Sequence, residues 1–229
     1  MNNSLILLHG ALGSTKTLRP LHQALEAHFD LHTFDFIGHG SADAQAFDLP
    51  LLADQLRQYI QEKQLNQPSI FGYSMGGYVA LTLGQTHSDL IGDIICLGTK
   101  FHWTTESAAK AISKIQADKI LEKVPRFADY LISQHGDPDW RSMLQHTADM
   151  MEDLGKATPL TPGNVSTISN RVYLCLGDLE NTVSHEETQE YEAAMPNASF
   201  HILPETPHPI EKVNASALAK TIMTFLGVE

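Results

Sequence analysis

Short apolar runs alternate with longer amphipathic segments through most of this 229-residue chain, and this alternation restricts the possible folds more than any other feature. The apolar runs have the length of β-strands, and the segments between them carry apolar residues at helical spacing. Strand candidates lie at residues 5–9, 31–36, 69–73, 91–98, 171–177 and 198–204, and helix candidates at 17–28, 50–64, 75–86, 185–194 and 213–226. Such strand–helix–strand units form right-handed crossovers and a mostly parallel sheet. The sequence therefore predicts an α/β fold, with a doubly wound sheet of about six strands and helices on both faces.

Residues 100–165 interrupt this alternation, because they contain three helical patterns and no convincing strand. They lie between the fourth and fifth strand candidates, where an insertion can cover the edge of the sheet. We therefore predict a single domain over residues 1–229 with a helical lid at about 100–165. The length agrees with this interpretation, since α/β folds often reach ~250 residues as one unit.

Charge and composition argue against several classes of partner. The formal net charge is −12, whereas nucleic acids and anionic membranes are bound by basic surfaces. The chain has no run of roughly 18 apolar residues, and the apolar run near the N-terminus stops at Leu8. Cys96 and Cys175 both lie in apolar strand candidates, which favours buried free thiols over a disulfide. We expect a cytoplasmic protein without an anchor that acts on a small molecule.

The third strand candidate is followed directly by a serine in the sequence Gly72-Tyr73-Ser74-Met75-Gly76. In this G-x-S-x-G pattern the small flanking residues allow a sharp strand-to-helix turn that projects the serine hydroxyl. The turn lies at the carboxyl end of the sheet, where α/β folds bind their ligands. The pattern predicts that Ser74 is a nucleophile; the alternative is that Ser74 only caps the following helix.

A serine nucleophile needs a base, and the base needs an acid that orients it. Of the twelve histidines, His208 is the best candidate for the base, because it lies in the loop between the last strand and the final helix. The loop after the fifth strand supplies two candidate acids, Asp178 and Glu180. The order Ser, acid, His along the chain is the order that this architecture uses.

The turn after the first strand is the candidate oxyanion site. The first strand ends in the sequence "LLHGALGS", whose backbone N–H groups point toward the same edge of the sheet. We predict that the amides of Ala11 and Met75 bind a developing oxyanion. A phosphate-binding loop is the alternative, but the stretch has neither the P-loop lysine nor a G-x-G-x-x-G frame.

Taken together, these motifs resemble the α/β-hydrolase superfamily over nearly the whole chain. The stretches "HGALGS", "FDFIGHGSA", "GYSMGG", "GDLENTV" and "TPHPIE" resemble its oxyanion turn, its D-x-x-G-x-G loop, its nucleophile elbow, its acid loop and its histidine loop, in that order. The resemblance implies an eight-stranded fold, of which this chain would lack the first two strands. It also implies cleavage of an ester-like bond through an acyl-enzyme, without a metal or an organic cofactor.

Two residues depart from the pattern of the superfamily. Its usual aspartate, three residues after the glycine that ends the strand, is Glu180 here, and its usual glycine before the histidine is Pro207. The spacing favours Glu180 as the acid, whereas the residue type favours Asp178 as the alternate. Carbon–carbon hydrolases, thioesterases and lyases of the superfamily use the same residues. A non-catalytic ligand-binding homologue is a further alternative, against which the complete Ser-acid-His set argues.

Three other features favour structural roles. Asp35 and His39 could suggest a metal pair, but no third ligand has suitable spacing. Residues 100–126 carry more lysine and arginine than aspartate and glutamate, so they could attract an anionic substrate. However, Lys110 and Lys119 fall on opposite sides of a helix, so they form no single basic stripe, and a solvated helix is favoured. Among the aromatic residues of the lid, Trp103 is the one predicted to line a substrate pocket.

Overall fold

The computed structural model describes residues 4–137 and 139–228. The strands are β1 (Ser4–Leu8), β2 (Asp30–Thr33), β3 (Ser69–Tyr73), β4 (Ile94–Leu97), β5 (Val172–Leu179) and β6 (Ala198–Pro207). The α-helices are α1 (Arg19–Leu25), α2 (Leu49–Glu62), α3 (Met75–Thr86), α4 (Thr105–Ile112), α5 (Ala117–Lys123), α6 (Pro125–His135), α7 (Asp139–Lys156), α8 (His185–Ala194) and α9 (Ala215–Leu226). None of the helices in these two described ranges is long and apolar enough to cross a membrane.

The strands form one parallel sheet in the order β2-β1-β3-β4-β5-β6, which confirms the predicted fold class. The second strand is shorter than expected and ends at Thr33 rather than at residue 36. The chain leaves the sheet there because the Phe36 N–H donates to the ring of His9 instead of to a neighbouring strand. The last strand is longer than expected and extends to Pro207.

Both faces of the sheet are covered by helices, as the continuous apolar character of the strands predicts. Along β1, Leu5 and Leu7 belong to the core on one face, while Ile6 and Leu8 belong to the core on the other. The first core is closed by α1 and α9, and the second by α2, α3 and α8. The sheet is therefore packed on both faces, and its carboxyl edge carries the loops that contain the candidate site residues.

The segment named the lid contains α4 to α7, which lie between β4 and β5. Its first helical pattern is divided into α4 and α5 by a turn at residues 113–116. The turn allows Ile115 and Ile120 to join a small core of the lid around Leu131, Trp140 and Leu144. The lid therefore has four helices where the sequence predicted three.

The two cysteines are buried and free, as expected from their apolar surroundings. Burial raises the pKa of the Cys96 thiol to about 12. Cys175 lies on the neighbouring strand, and burial raises the pKa of its thiol as well. Both side chains therefore stay protonated and serve as small apolar residues of the core.

Candidate active site

Ser74 occupies the sharp turn between β3 and α3, with φ 51° and ψ −112°. A positive φ is strained for a residue other than glycine, and such strain persists only where the surroundings enforce it. Here the Ser74 N–H donates to the Leu97 carbonyl at 2.8 Å, and the Thr99 hydroxyl donates to the Ser74 carbonyl at 3.0 Å. The Ser74 side chain makes no capping hydrogen bond to α3, so the helix-cap alternative is not supported.

Gly76 allows the first turn of α3 to begin directly against the end of β1. A Cβ at this position would lie 2.6 Å from the carbonyl oxygen of Leu8 and 2.7 Å from that of His9, which no side chain can tolerate. The close approach brings the amide of Met75 next to the turn that follows His9. As the first N–H of α3, this amide has no acceptor within the helix.

The turn after β1 is oriented by the buried ring of His9. Its Nδ1 lies 2.9 Å from the Gly10 carbonyl, and its Nε2 accepts a hydrogen bond from the Phe36 N–H at 3.1 Å. Nδ1 therefore carries the proton and donates it to Gly10. Desolvation by burial lowers the pKa of His9 to about 4, which keeps this neutral tautomer in place at neutral pH.

The same hydrogen bond determines the direction of the Ala11 amide. In a trans peptide the carbonyl and the N–H point in opposite directions, so the Ala11 N–H points away from His9. Ala11 and Ser74 line the same cavity, and within the described residues the Ala11 N–H has no hydrogen-bond partner. This amide is thus available to a ligand oxygen beside Ser74.

His208 and Glu180 are brought together by the register of β5 and β6. The last paired residues of these strands are Leu179 and Pro207, so that Glu180 and His208 each come next along their own chain segment. The Glu180 Oε2 lies 2.6 Å from the His208 Nδ1, and the Glu180 side chain is only 2% exposed. If the Nδ1 donates, the Nε2 is left as a proton acceptor.

The second carboxylate oxygen of Glu180 is held by the backbone of its own loop. Its Oε1 accepts from the N–H groups of Asn181 at 2.9 Å and Thr182 at 2.6 Å. Burial by itself would raise the pKa of Glu180, but the hydrogen bond and charge of His208 and the loop amides outweigh it and hold this pKa below its ordinary value. Glu180 is therefore a carboxylate at neutral pH, with both oxygens occupied.

The other candidate acid, Asp178, faces a different partner. Its Oδ1 accepts a hydrogen bond from the Thr206 N–H at 3.2 Å, and the residue is exposed. Asp178 therefore braces β6 beside the site and has no contact with the imidazole of His208. Of the two carboxylates, Glu180 is the one next to the histidine.

Gly98, which sequence reasoning did not identify, lies beneath the pair formed by Glu180 and His208. It has φ +66°, and a Cβ here would lie 3.2 Å from both the Glu180 Oε2 and the His208 Nδ1. Its position directly after β4, at the carboxyl edge of the sheet, is the signal that could have identified it.

Ser74 and His208 face one cavity of about 490 Å³ between the carboxyl edge of the sheet and the lid. A recess of about 50 Å³ also has Ser74 in its lining, and its walls are mostly apolar, among them Met75, Tyr78 and Leu154. Trp103 lines both spaces. A small organic molecule in either space can therefore contact Ser74.

The end of α6 holds the lid against the turn that contains Ala11. The His135 Nε2 lies 2.9 Å from the Leu12 carbonyl, and its Nδ1 accepts from the Gly40 N–H at 2.8 Å. The Ser14 hydroxyl donates to the Gln134 Oε1 at 2.6 Å. Sequence reasoning missed these contacts, because His135 is 123 residues from Leu12 and has no motif of its own.

The loop that contains Asp35 and His39 is a structural support. The Asp35 carboxylate accepts from the N–H groups of Thr15 and Ser41, which hold its pKa below the ordinary value although burial would raise it. His39 is buried with its Nδ1 3.1 Å from the Ile37 carbonyl. Among residues 4–137 and 139–228, no group of three or more His, Cys, Asp or Glu side chains could hold a metal ion.

Comparison with known proteins places this site in a wider context. The model of the Alpha/beta hydrolase family matches residues 5–217. A pimeloyl-[acyl-carrier protein] methyl ester esterase of Photorhabdus laumondii is 29% identical over 46% of this chain and 40% of its own length. A 2-succinyl-6-hydroxy-2,4-cyclohexadiene-1-carboxylate synthase of the same organism is 25% identical over 98% of this chain and 85% of its own length. The chain thus spans less than half of the first relative and most of the second.

Solved structures share the fold at lower sequence identity. The enol-lactonase of Burkholderia xenovorans LB400 superposes with a TM-score of 0.80 at 18% identity, covering 99% of this chain and 92% of the enzyme. The 2-hydroxy-6-oxo-6-phenylhexa-2,4-dienoate hydrolase of Rhodococcus sp. RHA1 also gives 0.80, at 16% identity, covering 99% and 91%. At such identities the similarity shows a common fold and leaves the substrate to be argued from the site.

Proposed function

This chain belongs to the Alpha/beta hydrolase family and is a hydrolase, and we propose that it cleaves an ester-like bond of a small molecule through an acyl-enzyme at Ser74. The observation that carries the proposal is the arrangement around the 490 Å³ cavity. Ser74 on its strained turn and His208 line the same space, and Glu180 lies 2.6 Å from the far nitrogen of the imidazole. This is the order of nucleophile, base and orienting acid that acyl transfer requires.

In the first step the Ser74 Oγ attacks the carbonyl carbon of the ester and transfers its proton to the His208 Nε2. Glu180 accepts the Nδ1–H of His208, which holds the reactive tautomer and stabilises the positive charge of the imidazolium. The carbonyl oxygen becomes an oxyanion that the amides of Ala11 and Met75 bind. Loss of one such donor costs ~10²- to 10³-fold in kcat in enzymes where it has been measured.

In the second step the tetrahedral intermediate collapses and the bond to the leaving oxygen breaks. The His208 Nε2–H gives its proton to that oxygen, so the alcohol leaves neutral and the acyl group stays on Ser74. A water molecule then gives a proton to the His208 Nε2 and attacks the acyl carbon. Collapse of this second intermediate releases the carboxylic acid and returns the proton to the Ser74 Oγ.

One relative supports ester chemistry: the Photorhabdus laumondii protein that is 29% identical is a methyl ester esterase. The relative that aligns with 98% of this chain is a synthase, however. It favours keeping a lyase, together with a carbon–carbon bond hydrolase or a thioesterase, as the second candidate on the same residues.

Active-site labelling tests the proposal without knowledge of the substrate. A fluorophosphonate probe should modify the wild-type protein once, and mass spectrometry of its peptides should find the label on Ser74. The variant Ser74→Ala should remain unlabelled while its circular dichroism matches the wild type. A folded wild-type protein that resists the probe would contradict the acyl-enzyme and favour a ligand-binding homologue.

A series of p-nitrophenyl esters of graded acyl length then defines the preferred substrate. Hydrolysis of these esters with loss of on the order of 10³-fold or more in Ser74→Ala supports an esterase. Labelling without hydrolysis of any ester would favour the lyase or carbon–carbon bond chemistry, since the nucleophile would then be reactive but the acyl transfer unproductive.

A further inference from the structure

The charged side chains around the candidate catalytic cavity are mostly positive, in a chain whose formal net charge is −12. Lys100, Lys110 and Lys114 line it, and Glu211 is the one acidic residue of its lining within the described residues. The Glu211 carboxylate accepts a hydrogen bond from the Tyr130 hydroxyl at 2.5 Å. The cavity therefore differs in sign from the protein as a whole.

Two of these lysines present free ammonium groups. Lys100 already has a partner, because its Nζ lies 3.9 Å from the buried carboxylate of Glu187 and over the ring of Trp103. Lys110 and Lys114 have no ion-pair partner and no hydrogen-bond acceptor for the Nζ among the described residues. Both side chains are exposed, so their charges are not buried by the fold.

The arrangement of the lid directs this pair to the cavity. Lys110 belongs to α4 and Lys114 to the turn that follows, four residues further on, so the two side chains share one side of this segment. Lys119, by contrast, lies on α5 and lines a separate cleft between helices of the lid. The single helix on which Lys110 and Lys119 were expected to fall on opposite sides is not formed, because the two residues lie on the separate helices α4 and α5. Lys110 and Lys114 make the local basic patch of the cavity.

A basic patch that lines a cavity attracts anions into it. Low-dielectric walls concentrate the field of the lysines in the cavity, while the acidic remainder of the surface repels anions elsewhere. An anion that enters would neutralise two charges that have no partner within the described chain. Lysine binds either a carboxylate or a phosphate as a point charge, without a fixed geometry.

We propose that the substrate of Ser74 carries an anionic group remote from the bond that is cleaved, and that Lys110 and Lys114 bind this group. The inference rests on the proposed ester cleavage and names its substrate class. Ser74, Lys110 and Lys114 line the same cavity, so one molecule can place its reacting carbonyl at Ser74 and its charged end at the two lysines. Either a carboxylate or a phosphate fits this chemistry.

The test compares charged and neutral substrates of equal length. Mono-p-nitrophenyl esters of linear dicarboxylic acids, from succinate to sebacate, are compared with p-nitrophenyl alkanoates that have the same number of chain atoms. In the wild type the charged esters should have the higher kcat/KM at the optimal length. A second series uses esters of the same lengths that end in a phosphonate. The series with the larger ratio of kcat/KM between charged and neutral esters shows whether the site prefers a carboxylate or a phosphate.

The double variant K110Q/K114Q should lower the charged-to-neutral ratio of kcat/KM by on the order of tenfold, mainly through KM, because each exposed ion pair contributes modestly and two are removed together. Added salt should reduce the same ratio in the wild type. The matched control is K119Q, which removes a lid lysine outside the cavity. An unchanged ratio in K110Q/K114Q, or an equal decrease in K119Q, would overturn the proposal.

A binding measurement separates this inference from the proposed function. Calorimetric titration with the stable monoanilides of the same dicarboxylic acids requires no turnover. A roughly tenfold weaker Kd in K110Q/K114Q than in the wild type and K119Q supports the anion site even if no ester is hydrolysed. Equal dissociation constants in the three proteins overturn it even if Ser74 proves to be the nucleophile.

Discussion

Glu180 and His208 each follow the last paired residue of neighbouring parallel strands, and their side chains meet at 2.6 Å between Oε2 and Nδ1. Because the pairing of β5 with β6 is irregular between Gly177 and Leu179, Leu179 pairs with Pro207, and Glu180 rather than Asp178 lies beside His208. The longer glutamate side chain reaches the imidazole while its other oxygen stays on the amides of its own loop. The contact is thus a consequence of strand register.

The first prediction concerns these two carboxylates. Glu180→Gln should lower kcat by several orders of magnitude with little loss of stability, because an amide cannot hold the imidazole in the reactive tautomer or stabilise its charge. Asp178→Asn is the matched control: the same change on the same loop keeps an oxygen for the Thr206 N–H and should reduce kcat only a few-fold. Kinetics of both variants on one ester decide the assignment, and a severe loss confined to Asp178→Asn would reverse it.

The second prediction concerns the backbone strain at Ser74. Ser74→Ala and Ser74→Gly should both be inactive, but the glycine variant should be the more stable by about 1 kcal/mol. At φ 51° and ψ −112° the backbone of a residue with a Cβ is strained by roughly 1 to 3 kcal/mol. Glycine avoids this strain, but it loses more conformational entropy on folding than alanine, which offsets part of the gain. Urea denaturation of the two variants measures the difference. If the alanine variant is as stable as the glycine variant, this turn is not strained.

The third prediction treats His135 as a positioning residue for the turn that contains Ala11. His135→Ala should lower kcat about tenfold with little change in KM, since a displaced amide loses part of the oxyanion stabilisation. His135→Gln should restore most of it, because its amide group can donate to the Leu12 carbonyl and accept from the Gly40 N–H.

The control for His135 is His146→Ala, on α7 of the same lid, where the ring lies 3.8 Å from the Asp149 carboxylate and has no contact with the turn. A merely structural role would make both His135 variants unstable and would leave kcat per folded molecule unchanged. Steady-state kinetics and thermal unfolding of the three variants distinguish the two roles.

The fourth prediction concerns acid stability. Burial lowers the pKa of His9 to about 4 and also lowers that of His39 below its ordinary value. The unfolded chain therefore takes up protons on these histidines near pH ~6.5, while the folded protein does not. The free energy of unfolding should consequently fall as the pH is lowered from ~6.5 toward ~4, by on the order of 3 kcal/mol from His9 alone.

A variant that lacks His39 measures the contribution of this histidine alone. His39→Leu should flatten the dependence of the free energy of unfolding on pH by up to about 1.4 kcal/mol per pH unit, since one group no longer titrates on unfolding. Urea titrations at several pH values between ~4 and ~7.5 give both slopes. Identical slopes in the wild type and His39→Leu would show that His39 is protonated to the same extent in both states.

The fifth prediction concerns Gly98. Gly98→Ala should reduce kcat and stability together, because its φ of +66° is strained for alanine and its Cβ would press on the contact between Glu180 and His208. Steady-state kinetics and urea denaturation measure the two effects. Wild-type kcat in this variant would show that the pair tolerates displacement.

Local patterns in the sequence were sufficient for the fold class and for much of the site. The strand and helix positions follow from apolar periodicity, which is a property of neighbouring residues. The turn at Ser74 follows from G-x-S-x-G between a strand and a helix, because few residues can occupy so tight a turn. His208 and the choice between Glu180 and Asp178 followed from position after a strand and from spacing.

Contacts between distant segments were decided by the tertiary structure alone. The meeting of Glu180 with His208 depends on the pairing irregularity in β5, and the bond from His135 to Leu12 joins residues 123 positions apart. The direction of Lys110 and Lys114 depends on the turn that ends α4, which no periodicity indicated. The sequence by itself determined which elements form and which residues stand at their ends, since these depend on local sterics and apolar spacing; only the packing of those elements determined which of the residues face one another.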